Sequence, residues 1–372
     1  MLIDRAALPP MDVPGRAHRL AEQLGAAGCD ALLVTSLANV RYLTGFTGSA
    51  ALLLVGAGGD LAFVTDGRYR DQAAAELAGA GISAEVRVGR TAEDQRRALS
   101  AAVAPGGRLG LEAEDVSWAA QRRYARDWFP HAELVPTAGL VEALRAVKDE
   151  GEVARIAAAC AVADAALAVV RPRLGEAATE ADLALELEWQ MRHLGADGPS
   201  FETIVASGPN GAMPHHRAGG RRVSEGDLVV IDFGALVDGY HSDMTRTVLV
   251  GEGTDVQHRM LAAVAEAQAA GVAAVRAEVP VGEVDAACRA VLRGAGWEEA
   301  FLHGTGHGVG LDIHEAPRVA AGAAGSLAAG QVVTVEPGVY LPEHGGVRIE
   351  DTVVVTAEGS RTLTRAPKDP RP

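Results

Sequence analysis

Two stretches constrain this chain more than any others: "DLVVIDFGALVDGYHSDMTRTVLV" (227–250) and "QVVTVEPGVYLPEHGGVRIEDTVVVT" (331–356). Each reads as strand, glycine-containing turn, strand, with one acidic residue in each arm of an apolar ribbon: Asp232 and Asp243 in the first, Glu336 and Glu350 in the second. A turn at Asp238-Gly239 sets Asp232 opposite Thr245, with Asp243 its diagonal neighbour on the same face; a register shifted by two sets the aspartates directly opposite. Glu336 and Glu350 flank the "PEHGG" loop and face one another to within one residue of register. Carboxylates held this close repel and lose solvation, at a cost of several kcal/mol per ion unless a cation lies between them. A lone acid in a strand is ordinarily a solvated edge position; two matched pairs point to a divalent metal.

The segment "FLHGTGHGVGLDIHEAP" adds His303, His307 and His314. A spacing of four suits a helix, but Gly304, Gly306, Gly308 and Gly310 argue for a tight, extended backbone that lets side chains approach a small site. One nitrogen ligand is expected from here. Other chemistries fail on particular residues: the glycine-rich loop lacks the Gly-Lys-Ser/Thr of a phosphate loop, and neither HExxH nor GxSxG occurs.

Around these motifs, 372 residues predict two domains. The first third alternates helix and strand as an α/β layer. Segment 143–152, "ALRAVKDEGE", has weak strand character, and the boundary is placed at Val147. The remainder predicts helices at 150–171, 179–194, 254–277 and 281–295 between strand hairpins, and a frayed tail. Domains 1–146 and 147–366 followed by a disordered tail, 367–372, are the expectation. A formal charge of −15, from 34 Lys plus Arg against 49 Asp plus Glu, opposes nucleic acid and anionic membranes as partners. Cys29, Cys160 and Cys288 are far apart and odd in number, hence read as buried thiols of a cytoplasmic protein; no leader and no span-length apolar run is read.

Taken together, "VVIDFG…YHSDMTRT", "HGTGHGVGLDIHEAP", "VVTVEPGVY" and "GVRIEDTVVV" resemble the Xaa-Pro aminopeptidase and prolidase family, and "NVRYLTGFTGS" resembles the creatinase-like domain preceding its catalytic domain. The resemblance implies an α/β creatinase-like domain followed by a pita-bread catalytic domain. It implies five metal ligands, Asp232, Asp243, His307, Glu336 and Glu350, with Asp243 and Glu350 bridging two ions, Asp232 chelating one, and His307 with Glu336 completing the other. Four carboxylates and one imidazole suit Mn²⁺, with Co²⁺ and Zn²⁺ tolerated. The implied reaction is metal-activated hydroxide attack on the Xaa-Pro carbonyl, with Glu336 as proton shuttle.

His215 in "GPNGAMPHHRAG", His303 and His314 match the family's further active-site histidines, expected to orient substrate or donate to the oxyanion, and Arg348 is expected to hold a ligating carboxylate or meet a substrate carboxylate. His216 and His241 stay ambiguous between a site and a surface role, and Tyr42 between substrate proximity and ordinary packing. The expected partners are peptides with proline in second position and other copies of the chain, as a dimer or tetramer. Release of the N-terminal residue is the leading expectation, an Xaa-Pro dipeptidase the alternative, and a non-catalytic pita-bread peptide-binding module a lower-ranked reading. A dipeptidase needs a positive group for the free carboxylate after proline.

Overall fold

The computed structural model describes residues 3–176 and 178–372. It divides into two compact units, Met11–Arg145 and Ala146–Pro372, the second also taking residues 3–10. That short segment was expected in the first domain. Arg5 ties it to the second unit through Asp197, at 2.7 Å, and the Gly195 carbonyl, at 2.8 Å.

The first unit is built on one mixed sheet. Strands β1 (Ala31–Val34), β2 (Ala51–Gly56), β3 (Leu61–Thr65), β4 (Glu85–Val88), β5 (Arg108–Glu112) and β6 (Glu133–Thr137) lie in the order β4-β3-β2-β1-β5-β6. The hairpin pairs β1–β2 and β2–β3 are antiparallel, whereas β5 reaches β1 by a parallel crossover. Helices α1 (Val13–Leu24), α2 (Leu37–Thr44), α3 (Arg70–Gly79), α4 (Ala92–Ser100), α5 (Trp118–Arg123) and α6 (Leu140–Ala146) accompany it. Tyr42 is buried, with the Arg16 guanidinium 4.2 Å above its ring, so it is a packed residue of this unit. Segment 143–152 is not a strand. It ends α6, makes one isolated bridge from Val147 to Gln331, and enters the next helix.

In the second unit the helices fall where apolar periodicity placed them: α7 (Glu150–Val170), α8 (Glu180–His193), α9 (Asp255–Ala274) and α10 (Val281–Gly294). Capping boxes at Asp149/Glu152, Thr179/Asp182 and Thr254/Gln257 satisfy the first amides of α7, α8 and α9, which fixes where each begins. By length and composition α7 and the turn after it pass as a membrane span, which amends the expectation that no run approaches that length. Here Ala159, Ala163 and Leu167 share a core with Val229, Ile231 and Phe233, the ordinary fate of an apolar helix in a two-layer fold.

The strands are β7 (Gly198–Pro199), β8 (Ile204–Ser207), β9 (Leu228–Phe233), β10 (Ala235–Val237), β11 (Tyr240–His241), β12 (Met244–Leu249), β13 (Gly306–Gly308), β14 (Glu315–Val319), β15 (Val332–Val335), β16 (Gly338–Leu341), β17 (Gly345–Arg348), β18 (Asp351–Val355) and β19 (Ser360–Thr362). They form sheets ordered β12-β9-β8, β11-β10-β7, β14-β13-β15-β18-β19 and β16-β17. The closing residues, expected to fray, are held instead: Pro370 accepts from the Leu249 amide at 2.7 Å, and Lys368 Nζ reaches Gln268 at 2.7 Å. All three cysteines are buried and unpaired, as read from their spacing.

Candidate metal centre

The first ribbon closes on Asp238 and Gly239, both at positive φ (49° and 76°), with Val237 opposite Tyr240. That two-residue turn fixes the register: Asp232 lies opposite Thr245, and the shifted alternative is not adopted. Asp243 sits at the join of β11 and β12. In the second ribbon Val335 faces Asp351 and Gly338 faces Arg348, which leaves Glu336 across from Glu350. His307 arrives on β13, threaded between β14 and β15. A Cβ at Gly306 would stand 2.0 Å from the Thr334 carbonyl oxygen, and one at Gly308 2.2 Å from that of Ala316, so only glycine on either side lets this strand through.

These elements bring Asp232, Asp243, His307, Glu336 and Glu350 to the wall of one cavity of about 470 Å³. Carboxylate oxygens of Asp232, Asp243 and Glu350 lie within 4.8 Å of one another. His307 Nε2 is 3.5 Å from both an Asp243 and a Glu336 oxygen. Burial, reinforced by the neighbouring carboxylates, pushes the Asp243 and Glu350 carboxyls well above the usual carboxylate range, and burial raises Glu336. Burial likewise lowers His307 to about 4, keeping its imidazole neutral and a lone pair available.

Whether these residues suit a metal is decided by their hydrogen bonds. Asp232 Oδ2 accepts from Arg348 Nη2 at 2.6 Å, and Glu350 Oε2 accepts from Thr245 Oγ1 at 2.7 Å. Asp232 Oδ1 and Glu350 Oε1, both buried, have no hydrogen-bond partner. A dry carboxylate oxygen costs several kcal/mol when nothing meets it, and a hard cation is what this donor set fits.

The other expected residues separate into two groups. His215 and His314 line the cavity with exposed imidazoles, and His314 stands edge-on to His307 at 4.4 Å between ring centres. His303 also lines it, but both its nitrogens are committed: Nδ1–H donates to the Gly304 carbonyl at 2.9 Å, and Nε2 accepts from Tyr340 Oη–H at 2.8 Å. The Tyr340 oxygen in turn accepts from Arg348 Nη1 at 2.8 Å. His303 thus stands at the end of a chain, His303–Tyr340–Arg348–Asp232, that fixes a carboxylate. Arg348, 3% exposed and also donating to Thr245 Oγ1 at 3.0 Å, is the carboxylate holder of its two expected roles.

Of the ambiguous histidines, His241 Nδ1 pairs with Ser200 Oγ at 2.9 Å and His216 Nε2 with Glu180 at 3.0 Å. Sequence reasoning missed Tyr340, the apolar wall of Phe201, Ile204 and Ile313, and above all Arg318. Arg318 sits directly opposite His307 across the β13–β14 pair, so it faces the same side of the sheet. It is exposed at the cavity, and among the described residues nothing pairs with its guanidinium.

The model of "Metallopeptidase family M24" matches residues 154–357, and that of the "Creatinase/Prolidase N-terminal domain" residues 16–147. An uncharacterized peptidase of Bacillus subtilis, YqhT, is 40% identical over 95% of this chain and 99% of its own. A solved Xaa-Pro dipeptidase from Bacillus anthracis superposes with a TM-score of 0.91 at 36% identity, over 96% of this chain and 99% of that one. For an X-Pro aminopeptidase from Thermotoga maritima the values are 0.84 and 34%, over 92% and 97%. The chain belongs to metallopeptidase family M24, with a creatinase-like N-terminal domain and a pita-bread catalytic domain.

Proposed function

We propose that the protein is a dinuclear-metal Xaa-Pro dipeptidase, a prolidase, whose metal ligands are Asp232, Asp243, His307, Glu336 and Glu350. Membership of a family of dinuclear-metal hydrolases and the unpartnered buried oxygens of Asp232 and Glu350 support the metal reading. Two divalent ions, Mn²⁺ by the hardness of these ligands, supply a Lewis acid for the scissile carbonyl and acidify a water. Glu336 takes and holds a proton beside the scissile bond and passes it to the proline nitrogen, since its carboxylate lines the same cavity as the other ligands and lies within reach of both. His215 and His314, whose ring nitrogens make no hydrogen bond among the described residues, donate to the peptide carbonyl as charge develops on its oxygen. Phe201, Ile204 and Ile313 offer an apolar wall for a pyrrolidine ring and keep water from it.

The observation that carries the choice of dipeptidase is Arg318, an unpaired guanidinium at the cavity, directly across the strand pair from His307. A dipeptide ends in a carboxylate immediately after proline, and a guanidinium holds a carboxylate through two parallel hydrogen bonds. The likeness to the Bacillus anthracis dipeptidase agrees. The aminopeptidase alternative is favoured by the likeness to the Thermotoga maritima enzyme; on that reading no carboxylate directly follows proline for Arg318 to hold. The deciding experiment strips metal with a chelator, restores Mn²⁺, and compares Ala-Pro with Ala-Pro-Ala. The dipeptide is turned over more efficiently if Arg318 receives its carboxylate; preference for the tripeptide selects the aminopeptidase. Buried, unpaired cysteines support a reducing, cytoplasmic setting.

A further inference from the structure

His215 makes no side-chain hydrogen bond among the described residues, so its position against the substrate is set entirely by the backbone of the loop that carries it. That loop runs from Ser207, the last residue of β8, past Gly219 toward β9. It contains Asn210, Pro214 and His216, and both Pro214 and His215 line the cavity. A loop of this length, with three glycines between 207 and 219, needs something to hold it in one conformation.

The holder is Glu180, the first residue of α8, whose side chain is fully buried. Its Oε1 accepts from the Ser207 amide at 2.8 Å and the Ser207 hydroxyl at 2.7 Å. Asn210 Nδ2 reaches Oε1 at 2.9 Å and Oε2 at 3.1 Å. Oε2 also accepts from His216 Nε2 at 3.0 Å and the Gly219 amide at 3.3 Å. One carboxylate thus meets four residues, two before His215 and two after it. The backbone returns the contact, since the Glu180 amide donates to the Arg221 carbonyl at 2.9 Å and the Ala181 amide to that of Gly219 at 3.0 Å. The start of α8, the positive end of the helix dipole, is where a buried carboxylate is best tolerated. Burial acts to raise the Glu180 carboxyl, but the donors from Ser207, Asn210 and His216 outweigh it and hold it below the usual range.

We infer that Glu180 is a positioning residue for the hydrolytic site: by clamping the loop on both sides of His215, it sets that imidazole at the scissile carbonyl. The inference rests on the proposed peptidase function. The loop has other tethers, including Arg348 Nη1 to the Pro214 carbonyl at 3.4 Å and a close approach in which a Cβ at Gly346 would lie 1.9 Å from the Gly211 oxygen. These hold its first half, whereas among the contacts above only those of Glu180 flank His215 on both sides.

Glu180→Gln puts an amide N–H₂ where one oxygen now faces only donors, and so loosens one side of the clamp while keeping its volume. The test is a double-mutant cycle on the Mn²⁺-loaded, full-length enzyme: Glu180→Gln, His215→Ala and the pair, each assayed for kcat and KM on Ala-Pro, with bound metal and Tm measured alongside. A displacement of about 1 Å at a reacting group can cost about 100-fold, so Glu180→Gln is expected to lower kcat/KM by roughly 10- to 100-fold with two metals still bound. In the His215→Ala background the same change is expected to alter kcat/KM by less than about twofold, because what it positions is already gone.

Losses that multiply, or loss of metal from Glu180→Gln, would overturn the inference. Should Glu180→Gln fail to fold, His216→Ala removes one anchor and runs the same cycle, with a smaller loss and the same two outcomes. An unmodified, metal-loaded enzyme inert toward every Xaa-Pro peptide would instead overturn the reading of the site itself, and the inference with it.

Discussion

Each unit of the molecule buries a carboxylate beside other acidic side chains, and the two sites differ in what the buried oxygens meet. In the first unit Glu112 sits at the end of β5, beside a small cavity also lined by Asp115 and Glu142. Its Oε2 accepts from the Thr35 amide at 2.6 Å and the Ser36 amide at 2.9 Å, and its Oε1 from Asn39 Nδ2 at 2.6 Å. In the second unit Asp232 and Glu350 each give one oxygen to a neighbour and leave the other buried without a partner. Carboxylate count is therefore a poor guide to a metal centre. The informative quantity is the acceptor left dry, because a fold that spends its stability on burying a charge ordinarily satisfies it.

The contrast breaks most visibly by truncation. Asp243→Ala or Glu350→Ala is expected to lower kcat by at least about 1,000-fold, several kcal/mol of lost charge stabilisation, with bound metal reduced. Glu112→Ala should leave kcat on Ala-Pro unchanged. Near-normal turnover in either ligand variant, measured beside metal content, contradicts the assignment. The next effect is at the unpaired imidazoles. His314→Ala removes a group that touches substrate rather than metal, so kcat is expected to fall about 100-fold with two ions retained; loss of metal instead would make His314 a ligand.

A smaller effect belongs to Arg318. Charged hydrogen bonds contribute about 1.5–3 kcal/mol, so Arg318→Ala should raise KM for Ala-Pro by roughly 10- to 100-fold and leave Ala-Pro-Ala nearly untouched. Equal losses on both peptides would remove the carboxylate from its role.

The smallest effect sharpens the other half of the contrast. Glu112→Ala orphans the Thr35 and Ser36 amides and is expected to destabilise the protein by roughly 1–3 kcal/mol in thermal denaturation. Burial raises the Glu112 carboxyl above its ordinary range, so the folded state holds that proton more tightly than the unfolded chain does. Its contribution to stability is then full below the ordinary carboxylate pKa and is lost as pH rises through the raised one. Glu112→Gln carries no such proton, so the stability of the unsubstituted protein relative to this variant should decline with rising pH. A difference independent of pH would show that burial does not perturb Glu112.

How much of this was legible in the sequence follows from the range of each interaction. The Asp238-Gly239 turn dictates the Asp232–Thr245 register locally, and capping residues fix the starts of α7, α8 and α9, so neighbouring residues alone suffice to place them. Glu336 and Glu350 fell opposite one another for the same reason, a short loop between two strands. Arg318 was invisible because its significance depends on pairing with His307 across a bulged ladder, and "EAPRV" alone reads as an ordinary edge. The satisfaction of His303 was hidden in Tyr340, and the clamp on His215 in a glutamate whose partners lie 27 to 39 residues away. Local rules see turns and caps; they do not see which buried acceptor has been left without a donor.

The claim at the centre is that Asp232, Asp243, His307, Glu336 and Glu350 hold two divalent ions. Anomalous diffraction at the manganese edge, on crystals grown with Mn²⁺, tests it most directly. Two peaks are expected between these side chains, with both Asp243 and Glu350 in contact with each. A single peak, or manganese bound elsewhere while the Asp232 and Glu350 oxygens stay unpartnered, would contradict it.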